Sequence, residues 1–263
     1  MGLEHAMTLV GLYSIGVRGL EVPGLLTWAH RHGLGFVHLR GGPCGFDLTR
    51  RPPDAWERWR LAAAGTVPIT GVTADLDLAD IHPAAAAPGR ARRELEHLAR
   101  AAAAVGAGWV RLLARHPVTT PVPAPVDLAV PVVIELHHPA WWEAAPHRVL
   151  LDLLDADPGI GVLADTAQLA HARTVHGPDM EKRWGAVADR VRVLHLSDNG
   201  TGATTGGHEQ AARDLAARIH TGQRVEVAME WTGPDRSRAV CLDRHRSLTR
   251  WWRTLCEQEI PRP

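Results

Sequence analysis

The chain reads VVIELHH at residues 132–138, and three comparable segments follow it: GVLADTAQ at 161–168, VRVLHLSDN at 191–199 and EVAMEW at 226–231. Each is a short apolar run that ends near an acidic residue or a histidine, namely Glu135, Asp165, His195 and Glu230. These four residues are separated by 30, 30 and 35 positions. A buried strand with its returning helix occupies about 30 residues. The spacing therefore predicts successive strand–helix units of a parallel sheet.

The same alternation of strands and helices is predicted along the whole chain. Eight strands are predicted, at residues 9–14, 36–40, 68–74, 109–114, 132–137, 161–165, 191–196 and 225–231. Helical patterns are found at residues 22–31, 55–63, 91–105, 147–155, 180–189, 209–220 and 242–258. Continuous apolar strands that alternate with helices indicate a parallel sheet covered on both faces. Eight such units, with no glycine-rich phosphate motif after any strand, predict a (β/α)8 TIM barrel rather than an open doubly wound sheet.

We expect one domain over residues 1–263, with one irregular unit. Residues 115–131, RHPVTTPVPAPVDLAVP, contain five prolines. Proline removes a backbone donor and clashes with the preceding turn of a helix. The sequence therefore predicts a truncated or irregular fourth helix, or an extended loop in its place.

The composition limits which binding partners and which cellular compartment are expected for this protein. Basic and acidic residues number 29 each, so the excess of positive charge typical of nucleic-acid or membrane binding is missing. No run of about 18 strongly apolar residues suggests a membrane span. The three cysteines, Cys44, Cys241 and Cys256, form no C-x-x-C pair. We expect a cytoplasmic protein that acts on a small molecule, without nucleic-acid or membrane partners.

The residues that end the last four strands predict a metal site. In a parallel barrel the carboxyl ends of the strands meet at one mouth. Singly, each of these residues has a simpler explanation, as a helix cap, an ion-pair partner or a core histidine. Together, three carboxylates and one imidazole among apolar neighbours would be costly to bury without a cation. Their donor atoms suit Mn²⁺ best, with Mg²⁺, Co²⁺, Fe²⁺ or Zn²⁺ as alternatives.

The order and spacing of these residues resemble the xylose-isomerase-like barrels, which include sugar isomerases and epimerases, dehydratases and endonuclease IV. The resemblance implies that Glu135, Asp165, His195 and Glu230 bind one divalent ion. It also implies that Glu135 and Glu230 flank the substrate carbon and serve as the catalytic acid and base. The expected reaction is isomerisation or epimerisation of a small sugar or α-hydroxycarbonyl compound through an enediolate.

Two departures from that family leave other functions open. Gln168 stands where many members have a histidine, and Thr201 stands where epimerases commonly have an arginine. One alternative is a metal-dependent dehydratase of the inosose or 3-dehydroshikimate type. Another is a non-catalytic metal-binding barrel that acts as a partner subunit.

Further polar and aromatic residues are expected near the mouth. The predicted substrate-binding residues are His38, Arg40, His137, Trp141, Gln168 and His208. Packing or a loop hydrogen bond is the competing explanation for the histidines and for Trp141. Cys44 lacks an evident base and is expected to be inert. Trp251 and Trp252 in the last helix favour outer-layer packing or a homo-oligomer contact.

Overall fold

Eight parallel strands close into a barrel in the computed structural model, which describes residues 9–125, 127–201 and 207–258. The strands are β1 (Val10–Tyr13), β2 (Val37–Arg40), β3 (Ile69–Asp77), β4 (Val110–Ala114), β5 (Val132–Leu136), β6 (Gly161–Asp165), β7 (Val191–Asp198) and β8 (Glu226–Trp231). They pair in sequence order, and β8 pairs with β1. The predicted (β/α)8 TIM barrel is confirmed.

Eight α-helices surround the strands in the described residues. They are α1 (Val22–Arg31), α2 (Pro53–Ala64), α3 (Pro88–Ala104), α4 (Ala144–Ala156), α5 (Thr166–His176), α6 (Pro178–Ala188), α7 (Gly207–His220) and α8 (Arg238–Gln258). Within the described ranges, no helix has the length and apolar character needed to cross a membrane.

Two connections show where local sequence did and did not determine structure. The described residues between β4 and β5 form no helix, as the prolines predicted. The sequence analysis missed α5, however. Its sequence, TAQLAHARTVH, buries only Thr166, Leu169 and Ala172, so its apolar face is narrow. The Asp165 side chain caps its first turn, and Gly177, with φ of 54°, ends it.

The barrel interior is filled by side chains. Trp109, Val133, Leu163 and Val193 form an inner cluster, separate from the larger core between strands and helices. Gly71 makes room for the ring of Trp109, because a Cβ atom at this position would overlap it. The inner cluster thus closes the lower part of the barrel.

The alternation of side chains along each strand places the polar residues above this cluster. Glu135, Asp165 and His195 each follow an apolar member of the inner cluster by two positions. Residues two apart on a strand share a face. These three side chains therefore point inward, one layer nearer the carboxyl-terminal mouth where TIM-barrel active sites lie.

Candidate metal centre

Three of the four predicted ligands converge. One donor atom from each of Asp165, His195 and Glu230 lies within 4.8 Å of the other two. Asp165 pairs with His195 in the register of β6 and β7, and Ser197 pairs with Glu230 in that of β7 and β8. Neighbouring strands thus bring two carboxylates and one imidazole to the same side of the mouth.

Asp165 is held firmly in place. Its Oδ1 accepts hydrogen bonds from the backbone N–H groups of Ala167, at 2.8 Å, and Gln168, at 3.0 Å. Its Oδ2 accepts one from the Ser197 hydroxyl. Burial, and then the charges of Glu230 and Glu135, raise the pKa of Asp165 to about 7.

His195 and Glu230 face each other beside Asp165. Nδ1 of His195 lies 2.8 Å from Oε2 of Glu230, and the histidine is fully buried. Burial and the charge of Glu135 raise the pKa of Glu230 to about 7. A divalent cation would remove the repulsion between these carboxylates. The donor set of two carboxylates and one imidazole therefore fits such an ion.

Glu135 is not part of this triad, and its carboxylate is paired with protein groups. Its Oε2 accepts a hydrogen bond of 2.5 Å from the Arg111 guanidinium, and its Oε1 lies 2.8 Å from Nε2 of His137. Burial alone would raise the pKa of Glu135, but Arg111 and His137 outweigh it and hold the pKa well below its usual range. The structure thus brings three candidate ligands together with Glu135 paired beside them, and metal binding by all four residues stays a prediction.

Arg111 is the main site residue that the sequence analysis missed. It lies on β4, is 5% exposed, and also donates to the backbone oxygen of Ala74 at 2.9 Å. The available signal was an arginine inside the apolar strand segment WVRLLA, two positions after the inward-facing Trp109. A fixed positive charge in that layer needs an inward-facing acid, and Glu135 supplies it.

A cavity of about 220 Å³ opens above the triad. Its lining includes Glu135, His137, Asp165, Gln168, Thr201, His208 and Glu230. Three of the predicted substrate-binding residues, His137, Gln168 and His208, are therefore at the cavity wall. Thr201, at the position where epimerases commonly have an arginine, lies there too.

The other three predicted substrate-binding residues are elsewhere. His38 and Trp141 are fully buried and lie outside the cavity lining, so the structure does not bring these two to the cavity, and their contact with substrate stays a prediction. Nδ1 of His38 lies 3.1 Å from Nε2 of His195, and Trp141 packs in the apolar core. Arg40 lies 4.0 Å from Asp75, outside the cavity lining, and its role stays a prediction. Cys44 is exposed and also lies outside the lining.

His208 is oriented by Thr166. Nδ1 of His208 lies 3.2 Å from the Thr166 hydroxyl, which accepts a hydrogen bond from the backbone N–H of Ser197 at 3.0 Å. The two groups are within hydrogen-bond distance, and the contact holds the ring beside Thr166. Burial lowers the pKa of His208. The sequence before His208 is rich in glycine and threonine, and its residues 202–206 lie outside the described residues.

Comparisons with known proteins identify the fold. Neither the protein-family models nor the curated proteins yield a match. Among solved structures, 3-keto-D-glucoside 4-epimerase from E. coli has 13% identity and a TM-score of 0.62, covering 93% of this chain and 98% of that one. A probable 3-DHS dehydratase from Bacillus anthracis has 13% identity and a TM-score of 0.60, covering 92% and 98%.

A third similar structure comes with a metal. It is a xylose isomerase-like TIM barrel protein from Mycobacterium smegmatis in complex with magnesium, with 12% identity and a TM-score of 0.64, covering 95% of this chain and 99% of that one. The chain therefore has the fold of the xylose isomerase-like TIM barrels.

Proposed function

We propose that the chain is a divalent-metal-dependent isomerase or epimerase that moves a proton at a carbon next to a carbonyl group. Its substrate class is a small sugar or another α-hydroxycarbonyl compound. The observation that carries this proposal is the convergence of Asp165, His195 and Glu230 beneath a cavity that Glu135 also lines. Mn²⁺ is the ion that we propose for the site, because oxygen donors predominate.

The residues divide the work between binding and proton transfer. Asp165, His195 and Glu230 would hold the divalent ion, which would supply Lewis acidity for negative charge that develops on the substrate oxygen. Glu135 and Glu230 lie on β5 and β8, three strands apart, so their carboxylates reach the cavity from different sides. One carboxylate removes the proton from the substrate carbon, and the other returns it. Arg111 fixes the position of Glu135.

Solvent-exchange measurements test this assignment. A panel of ketoses and α-hydroxyketones is incubated with the Mn²⁺-loaded protein in D₂O, and deuterium uptake at carbon is followed by NMR. We expect uptake with wild type and loss in Glu135→Gln and Glu230→Gln. Glu57→Gln, an exposed glutamate paired with Arg60 on α2, is the matched control and should exchange like wild type. Undiminished exchange in both active-site variants would contradict the assignment.

Dehydration is the second candidate function, and the two imidazoles of the cavity favour it. His137 and His208 line the same cavity as Glu135. In a dehydratase, a carboxylate takes the proton from the carbon next to the carbonyl. A neighbouring hydroxyl group then leaves with a proton from an imidazole, as water. Mass spectrometry distinguishes the reactions, because only dehydration gives a product lighter by one water. His208→Gln should then reduce water loss while deuterium exchange persists.

A further inference from the structure

A buried chain of hydrogen bonds runs below the metal centre, outside the proposed reaction. Oε2 of Glu226 lies 3.1 Å from Nε2 of His38, and Nδ1 of His38 lies 3.1 Å from Nε2 of His195. Both histidines are fully buried, whereas the Glu226 side chain is 38% exposed. Glu226 and Glu230 share one face of β8, four positions apart. This series of hydrogen bonds therefore links Glu226, near the start of β8, to the candidate metal centre.

The carboxylate of Glu226 determines which atoms donate and which accept in this series of hydrogen bonds. An ionised carboxylate only accepts hydrogen bonds, so Nε2 of His38 carries the proton. Trp109 donates to the same carboxylate oxygen at 3.1 Å, which supports the ionised form. His38 is fully buried, and a neutral imidazole carries one proton, so a ring with its proton on Nε2 toward Glu226 has a bare Nδ1. A bare Nδ1 must accept a hydrogen bond, and the donor facing it is Nε2 of His195.

The same reasoning fixes the ring of His195. With its single proton on Nε2, its Nδ1 presents a lone pair toward Oε2 of Glu230, 2.8 Å away. Two acceptors that face each other at this distance repel unless a positive charge lies with them. A proton or a metal ion satisfies that need, and the adjacent carboxylate of Asp165 favours a divalent ion.

We infer that Glu226 and His38 are positioning residues, which hold His195 in the tautomer whose Nδ1 lone pair faces Glu230. The inference rests on the proposed metal site and extends it to two residues that contact neither substrate nor metal. Partners of this kind strengthen metal binding, because they fix the tautomer and orientation of a histidine ligand. His38 is thus assigned a role different from the substrate contact expected from the sequence.

Packing is the competing explanation for His38. Its ring centroid lies 5.1 Å from that of Phe36 and 4.6 Å from that of Trp109, so an aromatic ring is well accommodated here. If packing were its whole role, a phenyl ring would serve equally well. The positioning role instead requires an acceptor at the place of Nδ1.

Three variants separate these roles. His38→Phe keeps a ring but removes the acceptor. His38→Asn places a carbonyl oxygen near the position of Nδ1. His245→Phe is the control for the loss of a buried histidine. His245 is not part of the Glu226–His38–His195 series of hydrogen bonds, and its Nε2 lies within hydrogen-bond distance of the backbone oxygen of Val10. Mn²⁺ affinity is measured by competition with a chelator. We expect His38→Phe to weaken binding by about 10–100-fold, with His38→Asn closer to wild type and His245→Phe unchanged.

NMR of the ring nitrogens tests the tautomer directly. In metal-free wild type, ¹⁵N shifts should place the His195 proton on Nε2. If His38→Phe does not fold, Glu226→Met retains both rings and should yield mixed tautomers and weaker Mn²⁺ binding. A proton on Nδ1, or wild-type Mn²⁺ affinity in His38→Phe, would overturn the inference. A wild type that binds no divalent ion would overturn the proposed function, and the tautomer measured in the metal-free protein would still decide whether the positioning pair exists.

Discussion

Replacing Arg111 with Met should destabilise the protein strongly, because it leaves Glu135 as a buried carboxylate without its main partner. Arg111 and Glu135 are 5% and 2% exposed, and the hydrogen bond between them is 2.5 Å long. Breaking a buried ion pair by removing one partner costs about 3–5 kcal/mol. The other neighbour of Glu135, His137, has a partly exposed side chain and compensates only in part.

A double-mutant cycle measures how much of the lost stability comes from the unpaired charge of Glu135. Glu135→Gln in the Arg111→Met background removes the unpaired charge, and replacing both partners of a buried pair is often nearly neutral. We therefore expect the double variant to recover most of the stability lost by Arg111→Met. Urea denaturation at pH 7 without divalent ions gives the free energies of unfolding of wild type, the two single variants and the double variant.

A cost below about 1 kcal/mol for Arg111→Met would refute this reasoning, since such a value is typical of an exposed pair. Equal stability of the single and double variants would refute it too, because the loss would then not arise from the charge of Glu135.

Two further predictions concern other parts of the barrel. Gly71→Ala should lower the free energy of unfolding by about 1–3 kcal/mol in urea, because the new Cβ overlaps the Trp109 ring; unchanged stability would contradict the close approach. Burial lowers the pKa of His245, so the unfolded chain takes up its proton at a higher pH than the folded protein does. Stability should therefore fall as the pH drops from 6.5, the ordinary pKa of histidine, toward the lower folded pKa. His245→Gln should show less of this loss between pH 7 and pH 5 in urea melts, and an equal loss would contradict the assignment.

Strand positions were predictable because the signals for them are local. The strands are short segments rich in apolar residues, and the bounds of β6 agree with the prediction at both ends. The sequence also placed Glu135, Asp165 and His195 near the ends of these strands, where a parallel barrel has its mouth. The missed helix α5 lacked such a signal, since polar residues interrupt its apolar face.

Contacts between distant strands were not predictable from the sequence. Register alone places Glu135 opposite Leu113, yet its side chain reaches Arg111, because contacts inside the barrel depend on strand stagger and side-chain length. His38 and His195 are 157 residues apart in sequence and meet only when the barrel closes. The ligand types were therefore apparent from the sequence, whereas their partners were not.

Thermal melting with and without divalent ions tests the central claim most directly. The protein is purified without added metal, analysed for its elements, and melted before and after chelation and after Mn²⁺ is restored. At an ion concentration 100 times the dissociation constant, binding adds about 2.7 kcal/mol of stability, and each kcal/mol raises the Tm by about 2–4 °C in a chain of this size. We predict about one equivalent of bound ion and a Tm that falls by about 5–10 °C on chelation, with Asp165→Asn showing a smaller shift. No bound metal, no uptake and no shift in wild type would contradict the metal centre.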